Sequence, residues 1–547
     1  MNGIGVGKFF SVFAIALCAV FLAACGERVP LAKKCARDGI LLMNNGGEPS
    51  ALDPQFAQPG VIENRLMLAL FEGLVRYDPE TLAPRPAIAE SWNVSEDGLR
   101  VVFKLRADAK FSDGRAITSA DFLFSYRRIL SPKLASPCAS LFFAPVKNAR
   151  AFAAGEIADF AQVVFSAPDA RALAVELESP CPYFLQLACH SSWSVVPEHA
   201  ISKFGKIDDR STLWTRPENF VGSGPFALKK WRVAYRIEVE KNPFYWDAAN
   251  VRLRGIRFDA VEDQFAEETA FRDGRYHITN TVPPSRVAVL REQKSPFLRL
   301  DTYFSTAFIR VNCARPPLND PRVRRALSLA IDRTQLAERV TRAGEVPAET
   351  FVPVFGENPE KTPRKIAAEA RVSEARKLLA EAGFPDGRGF PEISYLFNTS
   401  DGAQFFAQAI QEMWRKNLGI KVSLKNQEYK VYRVSMAQGD YELARSAWSG
   451  DYLDPTTFLE LFASGGNMNW TNWTNARYDE LLRAAARERE PRKRAQILAG
   501  AEEILLDESP IIPTVFSRNK FLIRPEVRGW FPNLLDIHPY VGVSFER

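Results

Sequence analysis

Histidine is scarce, and charge of neither sign is concentrated. The four histidines, His190, His199, His277 and His538, stand too far apart in sequence to suggest a local metal motif. The chain has no His-Glu-x-x-His, no Cys-x-x-Cys, no phosphate-cradling P-loop and no Gly-x-Ser-x-Gly elbow, so the usual sequence signals of an enzyme are missing. Gly222-Ser223-Gly224-Pro225-Phe226 comes nearest to a nucleophile loop. There Pro225 takes the place from which an elbow needs a backbone donor, so the segment reads as a tight turn into a strand over Phe226–Trp231. An exported hydrolase would lack its nucleophile–base pair. A formal charge of +6 is spread over 547 residues without a block of Lys or Arg, which argues against nucleic acid as a partner. Neither repeats nor low-complexity segments occur.

Long apolar runs are absent except near the start. Lys8 precedes the apolar stretch Phe9–Leu22, which is short for a bilayer span, and Leu22-Ala23-Ala24-Cys25 follows it directly. Small residues ahead of a Cys form a lipobox, so residues 1–24 are expected to be a lipoprotein signal peptide and Cys25 the acylated first residue. The expected location is therefore the periplasm or the cell surface, tethered to a bacterial membrane through lipid. Of seven cysteines, Cys18 leaves with the signal and Cys25 carries lipid, leaving Cys35, Cys138, Cys181, Cys189 and Cys313. That number is odd, so at least one thiol has no partner within the chain. Cys181 and Cys189 flank a helical-looking segment that separates them by about 12 Å, beyond disulfide reach.

The remaining length calls for two or three domains. Short strands alternate with amphipathic helices throughout, which indicates a mixed α/β fold. Val101–Arg106 alternates with period two, Phe111–Arg115 is a turn, and Thr118 is placed to cap a helix over Ala120–Ile129. Asp320-Pro321 opens a helix with Val323, Leu327, Ala330 and Ile331 on one face. Ser373 is expected to cap another that ends at Gly383. A third, Phe405–Asn417, leads through Gly419 into a strand over Ile420–Leu424, a βαβ pattern.

The most informative segment follows the alternating stretch Tyr441–Arg445. Ala447-Trp448-Ser449-Gly450-Asp451 sets an indole and a carboxylate beside a glycine, close to an expected strand end. A carboxylate in that position can accept charge-assisted hydrogen bonds from an ammonium group while the indole excludes water. The alternative is a strand end with an incidentally packed Trp.

In this order along the chain, Leu52-Asp53-Pro54, Leu70-Phe71-Glu72-Gly73-Leu74, Ala89-Glu90-Ser91-Trp92, Ala109-Lys110-Phe111-Ser112-Asp113-Gly114, Gly222–Phe226 and Asn242-Pro243-x-Tyr245-Trp246 form a pattern. It continues through Pro317–Leu327 and Leu378–Gly383. The pattern resembles the solute-binding proteins of peptide ABC importers, the oligopeptide- and dipeptide-binding family, nearly end to end. The resemblance implies an α/β fold of two periplasmic-binding-protein-like lobes around a cleft, with an extra α/β domain on the first lobe. The implied domains are 25–70 for the start of lobe I, 71–197 for the extra domain, 198–300 for lobe I, 301–535 for lobe II and 536–547 for a return to lobe I. A hinge would lie near Leu300–Phe304 and near Leu534–His538.

By the same resemblance, Asp451 grips a peptide α-ammonium and Trp448 packs over the bound chain, with Gly450 between them. Arg445 falls where relatives turn an Arg toward a peptide carboxylate, Tyr429 replaces a Trp lining a side-chain pocket, and Asn280 sits in the cleft segment. Gln58, Cys138 and Ala403 depart from an acidic residue, a Tyr and a His of the oligopeptide binders. The implied function is capture of short peptides by lobe closure and delivery to ABC permease subunits, by a monomer with no cofactor, no metal and no catalysis. A binder of another solute, such as a nickel chelate, haem or an oligosaccharide, is the alternative within the family.

Overall fold

Residues 29–57, 61–210, 213–354, 368–400 and 402–546 are described in a computed structural model of the chain. Cys25 and Gln58 lie outside them. Three sheets organise the described residues. In the first, Ile40–Asn44 pairs in parallel with Gly255–Asp259, followed antiparallel by Arg236–Lys241 and Phe226–Arg232. The second is antiparallel, in the order Ala89–Val94, Arg100–Leu105, Ala172–Glu176, Phe165–Asp169. The third is mixed and six-stranded, in the order Val346–Pro347, Ile511–Leu522, Leu298–Val311, Leu443–Ser449, Ile393–Asn398, Val422–Gln427. By the boundaries expected from sequence, the first sheet falls in lobe I, the third in lobe II and the second in the extra domain.

Local rules explain the elements. Val101, Phe103 and Leu105 of the Arg100–Leu105 strand are buried and alternate with less buried neighbours. The helix facing that sheet, Ser119–Ile129, is held at its start by Asp121 Oδ2, which accepts from both the Thr118 N–H and the Thr118 hydroxyl at 2.8 Å. Arg128 anchors the same helix, donating to Asp53 and Gln55 with no exposure of its side chain. Leu52-Asp53-Pro54 is thus a structural motif. Helix Ala403–Leu418 buries Ala403, Phe406, Ala407, Ile410, Met413, Trp414 and Leu418 at helical spacing, and Gly419 ends it at φ 71°. Its flanking strands, Ile393–Asn398 and Val422–Gln427, are parallel, which is the expected βαβ unit.

Two long strands connect the lobes. Leu298–Val311 and Ile511–Leu522 pair antiparallel at both ends, with the register interrupted between Thr302 and Thr306. Bridges from Met43 to Ile278 and from Ile278 to Ile523 tie the first sheet to the end of this pair. The two expected hinge segments lie side by side there, Phe304 N donating to Leu534 O at 2.7 Å.

Three expectations need correction. Ser373 lies inside a helix spanning Ala368–Glu381, because the polar face of that helix carries Ser373 without ending it. The strand expected over Ile420–Leu424 runs from Val422 to Gln427, with Ile420 buried before it. The strand expected to stop at Arg445 continues to Ser449, since pairing with Ser305–Val311 carries Trp448 into the sheet.

Candidate functional site

The six-stranded sheet leads directly into Asp451. Ser449 pairs with Ser305, the Gly450 N–H donates to Phe304 O at 2.8 Å, and the Asp451 N–H donates to Thr457 Oγ1 at 3.1 Å. A Cβ at Gly450 would lie 2.3 Å from Phe304 Cδ1 and 3.0 Å from Thr457 Cγ2, so only glycine lets the chain pass. The following turn is locked by Asp454, which accepts from the Thr456 N–H at 3.0 Å and from Arg494 at 2.6 and 2.9 Å. These contacts fix the backbone from which the Asp451 side chain projects.

That carboxylate is unfinished. Asp451 Oδ2 is buried and accepts no hydrogen bond, and burial alone pushes the carboxyl up from its usual range to about 7. No Lys or Arg among the described residues forms an ion pair with it. Burial first, and then the Asp451 charge among other groups, raises the titration of Tyr77, Cys138 and Tyr303. The Trp448 indole N–H is also buried without an acceptor. An unpaired acceptor and an unpaired donor, buried within four residues of each other, are costly unless a ligand supplies both partners.

Aromatic groups pack against Tyr452, the residue that follows Asp451. Tyr183 of the extra domain stacks on Tyr452 with ring centres 5.1 Å apart and planes 5° apart, and its hydroxyl donates to Glu460 at 3.2 Å. The Arg494 guanidinium sits 5.5 Å from the Tyr183 ring.

The other expected residues are distributed more widely. Cys138 is 1% exposed at the start of the short helix Ala139–Phe142, its thiol pushed up to about 12 chiefly by burial and then by Asp451. Arg445 donates to Asn398 Oδ1 at 3.3 Å, and its guanidinium lies 6.0 Å from the Phe406 ring. Trp448, by contrast, packs against the large core cluster that also contains Phe304 and Phe458. Tyr429 is 56% exposed on the first turn of helix Tyr429–Ala437. Asn280 Oδ1 accepts from Arg65 at 2.9 Å, and Arg65 in turn reaches Asp536 at 3.6 Å. Asn519 on the long strand and His538 also donate to Asp536, so Asn280 belongs to a polar network across the lobe connection. Ala403 is buried.

Sequence reasoning missed Tyr77, Tyr183, Tyr303 and Tyr452. Their neighbours in space are distant in sequence, and only Asp454-Pro455-Thr456, with its capping pattern, gave a local signal of the rigid turn. Ser223 is satisfied structurally: its hydroxyl accepts from the Glu72 N–H at 3.0 Å and donates to Val195 O at 3.1 Å. Gly222 and Gly224 press against Leu70 and Phe71, as a tight turn requires. His277 bonds both ring nitrogens to backbone groups of Leu42 and Ala32. Among the described residues no cluster of three or more His, Cys, Asp or Glu could hold a metal, the five cysteines are free, and no helix is long and apolar enough to cross a membrane.

Comparison with known proteins agrees with this architecture. Residues 83–470 match the family model described as bacterial extracellular solute-binding proteins, family 5 middle. The chain is 34% identical to the periplasmic oligopeptide-binding protein OppA of Salmonella typhimurium over 93% of this chain and 92% of that one. It is 33% identical to the periplasmic murein peptide-binding protein MppA of Escherichia coli, covering 92% of each. The solved structure of that murein tripeptide-binding protein superposes with a TM-score of 0.80 at 32% identity, over 93% of this chain and 98% of that one. Haemophilus influenzae OppA in complex with the peptide RPPGFSPFR superposes at 0.77 with 30% identity, over 93% and 99%. With its two lobes, connecting strands and extra domain, the chain belongs to family 5 of the bacterial extracellular solute-binding proteins.

Proposed function

We infer that this protein is a lipid-anchored receptor that captures short peptides by lobe closure and passes them to an ABC permease. The observation that carries the reading is the buried, unpartnered Oδ2 of Asp451 beside the unpartnered indole N–H of Trp448. A peptide α-ammonium supplies the missing charge and donors, and a peptide carbonyl supplies the acceptor for the indole. The strand edge supports the same ligand. Pairing with Ile393–Asn398 stops at Ala444, whereas pairing with Leu298–Val311 continues to Ser449, so among the described residues one edge of the 445–449 stretch has no strand beside it. An extended peptide is able to add its backbone to such an edge without reading side chains.

In this account Tyr183 and Tyr452 seal the amine end, and Arg445 meets the carboxylate of a peptide of one length. Residues 71–197 form the extra domain, and the lobes rotate about the strands near Leu300–Phe304 and the segment near Leu534–His538. Acylation at Cys25 holds the protein at the outer face of a bacterial membrane, where the permease is met. The relatives support peptides as the ligand class: OppA and MppA are described as oligopeptide- and murein peptide-binding proteins. Mass spectrometry of small molecules released from the purified protein by denaturation tests the reading. Peptides with free amino termini are expected, and a saccharide, steroid or metal chelate in their place would overturn it.

A further inference from the structure

A concavity lies where the N-terminal helix Leu31–Arg37, the 252–254 turn and the C-terminal residues meet, and Asp451 is not among the residues that line it. It has a volume of about 1440 Å³, and Lys33, Arg37, Arg252, Arg254 and Arg524 line it. Arg524 forms the floor, donating to Tyr276 O at 2.9 Å and Phe271 O at 2.6 Å while stacking 4.7 Å from the Phe271 ring. The other four cations are exposed, and among the described residues none of them forms an ion pair. Lys34 adds a further exposed cation beside them. The acidic side chains of the wall do not cancel this charge: Glu546 is paired with Arg528, which leaves Asp38 and Glu526. The rim is held in shape by the Arg254 N–H, which donates to Gly39 O at 2.8 Å.

No lining residue takes part in the Asp451 site or the lobe connection, and none of the peptide-binding chemistry uses these cations. Unpaired cations gathered in one concavity call for an anion with several phosphates rather than one carboxylate. Position identifies its source. Pro30 lines the concavity and stands five residues after Cys25, and five residues of fully extended chain span at most about 18 Å. Acylation at Cys25 thus keeps these cations near the headgroup layer.

We propose that this cationic concavity docks on the phosphate groups of anionic lipids, so that the tethered receptor rests on the membrane through the base of its first lobe. The proposal rests on the acylation reading above. Each Lys or Arg held at an anionic surface contributes roughly a fivefold preference, so four of them give a salt-sensitive contact even after screening. Such a contact would fix which way the cleft faces.

The test is hydrogen exchange on the acylated protein floated on phosphatidylcholine vesicles and on phosphatidylglycerol-rich vesicles. Anionic vesicles are expected to slow exchange in Leu31–Arg37 and around Arg252–Arg254 by at least about tenfold relative to neutral ones, with the protection lost at high salt. A variant carrying Lys33→Glu, Arg37→Glu, Arg252→Glu and Arg254→Glu is expected to lose that protection while keeping its melting temperature and peptide affinity. Equal exchange on both vesicles overturns the proposal. Equal protection from inorganic phosphate on neutral vesicles also overturns it, in favour of a soluble anion. Flotation on neutral vesicles separately reads the lipid anchor: if the protein floats only on anionic vesicles and the fourfold variant does not, docking stands and acylation falls.

Discussion

Replacing Asp451 by Asn should move stability and binding in opposite directions. In the unliganded protein the Asp451 carboxyl titrates near 7, against 3.8 for an ordinary aspartate. The folded value lies above the unfolded one, so between these pH values the native state holds a proton that the unfolded state has released. Stability from this group is therefore fully present below about pH 4 and is lost as pH rises through about 7. A shift of about three units corresponds to at most roughly 4 kcal/mol, which relaxation and water entry reduce. Asn carries no charge to desolvate but leaves its own amide groups to be satisfied, so a net stabilisation of about 1–3 kcal/mol at pH 8 is expected. The difference from the parent should shrink to nothing by pH 4. Urea melts of the ligand-free protein over that pH range measure it. Peptide affinity should fall at the same time by about 2–5 kcal/mol, the range for removing one partner of a buried charge pair. Parent affinity should also weaken about fivefold from pH 7 to pH 6, because capture then requires Asp451 to lose a proton. If the Asn variant is destabilised equally at pH 4 and pH 8, the carboxylate is not the strained, waiting group described here.

Further outcomes follow from named contacts. Gly450→Ala should lower stability by about 1–3 kcal/mol, seen as a drop in melting temperature, because its Cβ would collide with the buried Phe304 ring. Tyr183→Leu should weaken peptide binding roughly three- to tenfold and enlarge the radius of gyration of the liganded protein, and adding Tyr452→Leu should cost little more, since both residues serve one stacked contact. Unchanged scattering would remove the pair from closure. Cys25→Ser should leave an uncut precursor that takes up no labelled fatty acid, whereas Cys35→Ser should label as the parent does.

Much of the fold was legible because it follows local rules. Strand alternation in Val101–Leu105, the Thr118–Asp121 cap, the Asp320-Pro321 helix start and the βαβ unit around Ala403–Leu418 are each set by residues within a few positions of one another. Ser373 misled because a serine on the polar face of a helix has the same composition signal as a cap. The strand end at Ser449 was hidden because pairing with Leu298–Val311, distant in sequence, decides it. Within the candidate site, Asp451, Trp448 and Gly450 could be proposed from sequence because they stand within four residues of one another across the end of one strand and their types suit an amine. That the Asp451 oxygen is buried and unpaired could not, because burial and the lack of a partner are set by tertiary packing rather than by neighbours in sequence. Asn280 shows the converse: its segment was anticipated, but its engagement by Arg65 and the Asp536 network is a tertiary fact.

The central claim is that a buried carboxylate waits for a peptide amine. Calorimetry at pH 7.5 with one short peptide and its amino-acetylated twin tests it most directly. The free peptide is expected to bind, and the acetylated twin to bind at least about thirtyfold more weakly, the lower end of the loss of one buried charge partner. Equal affinities for the two would contradict the assignment of Asp451 as the amine anchor.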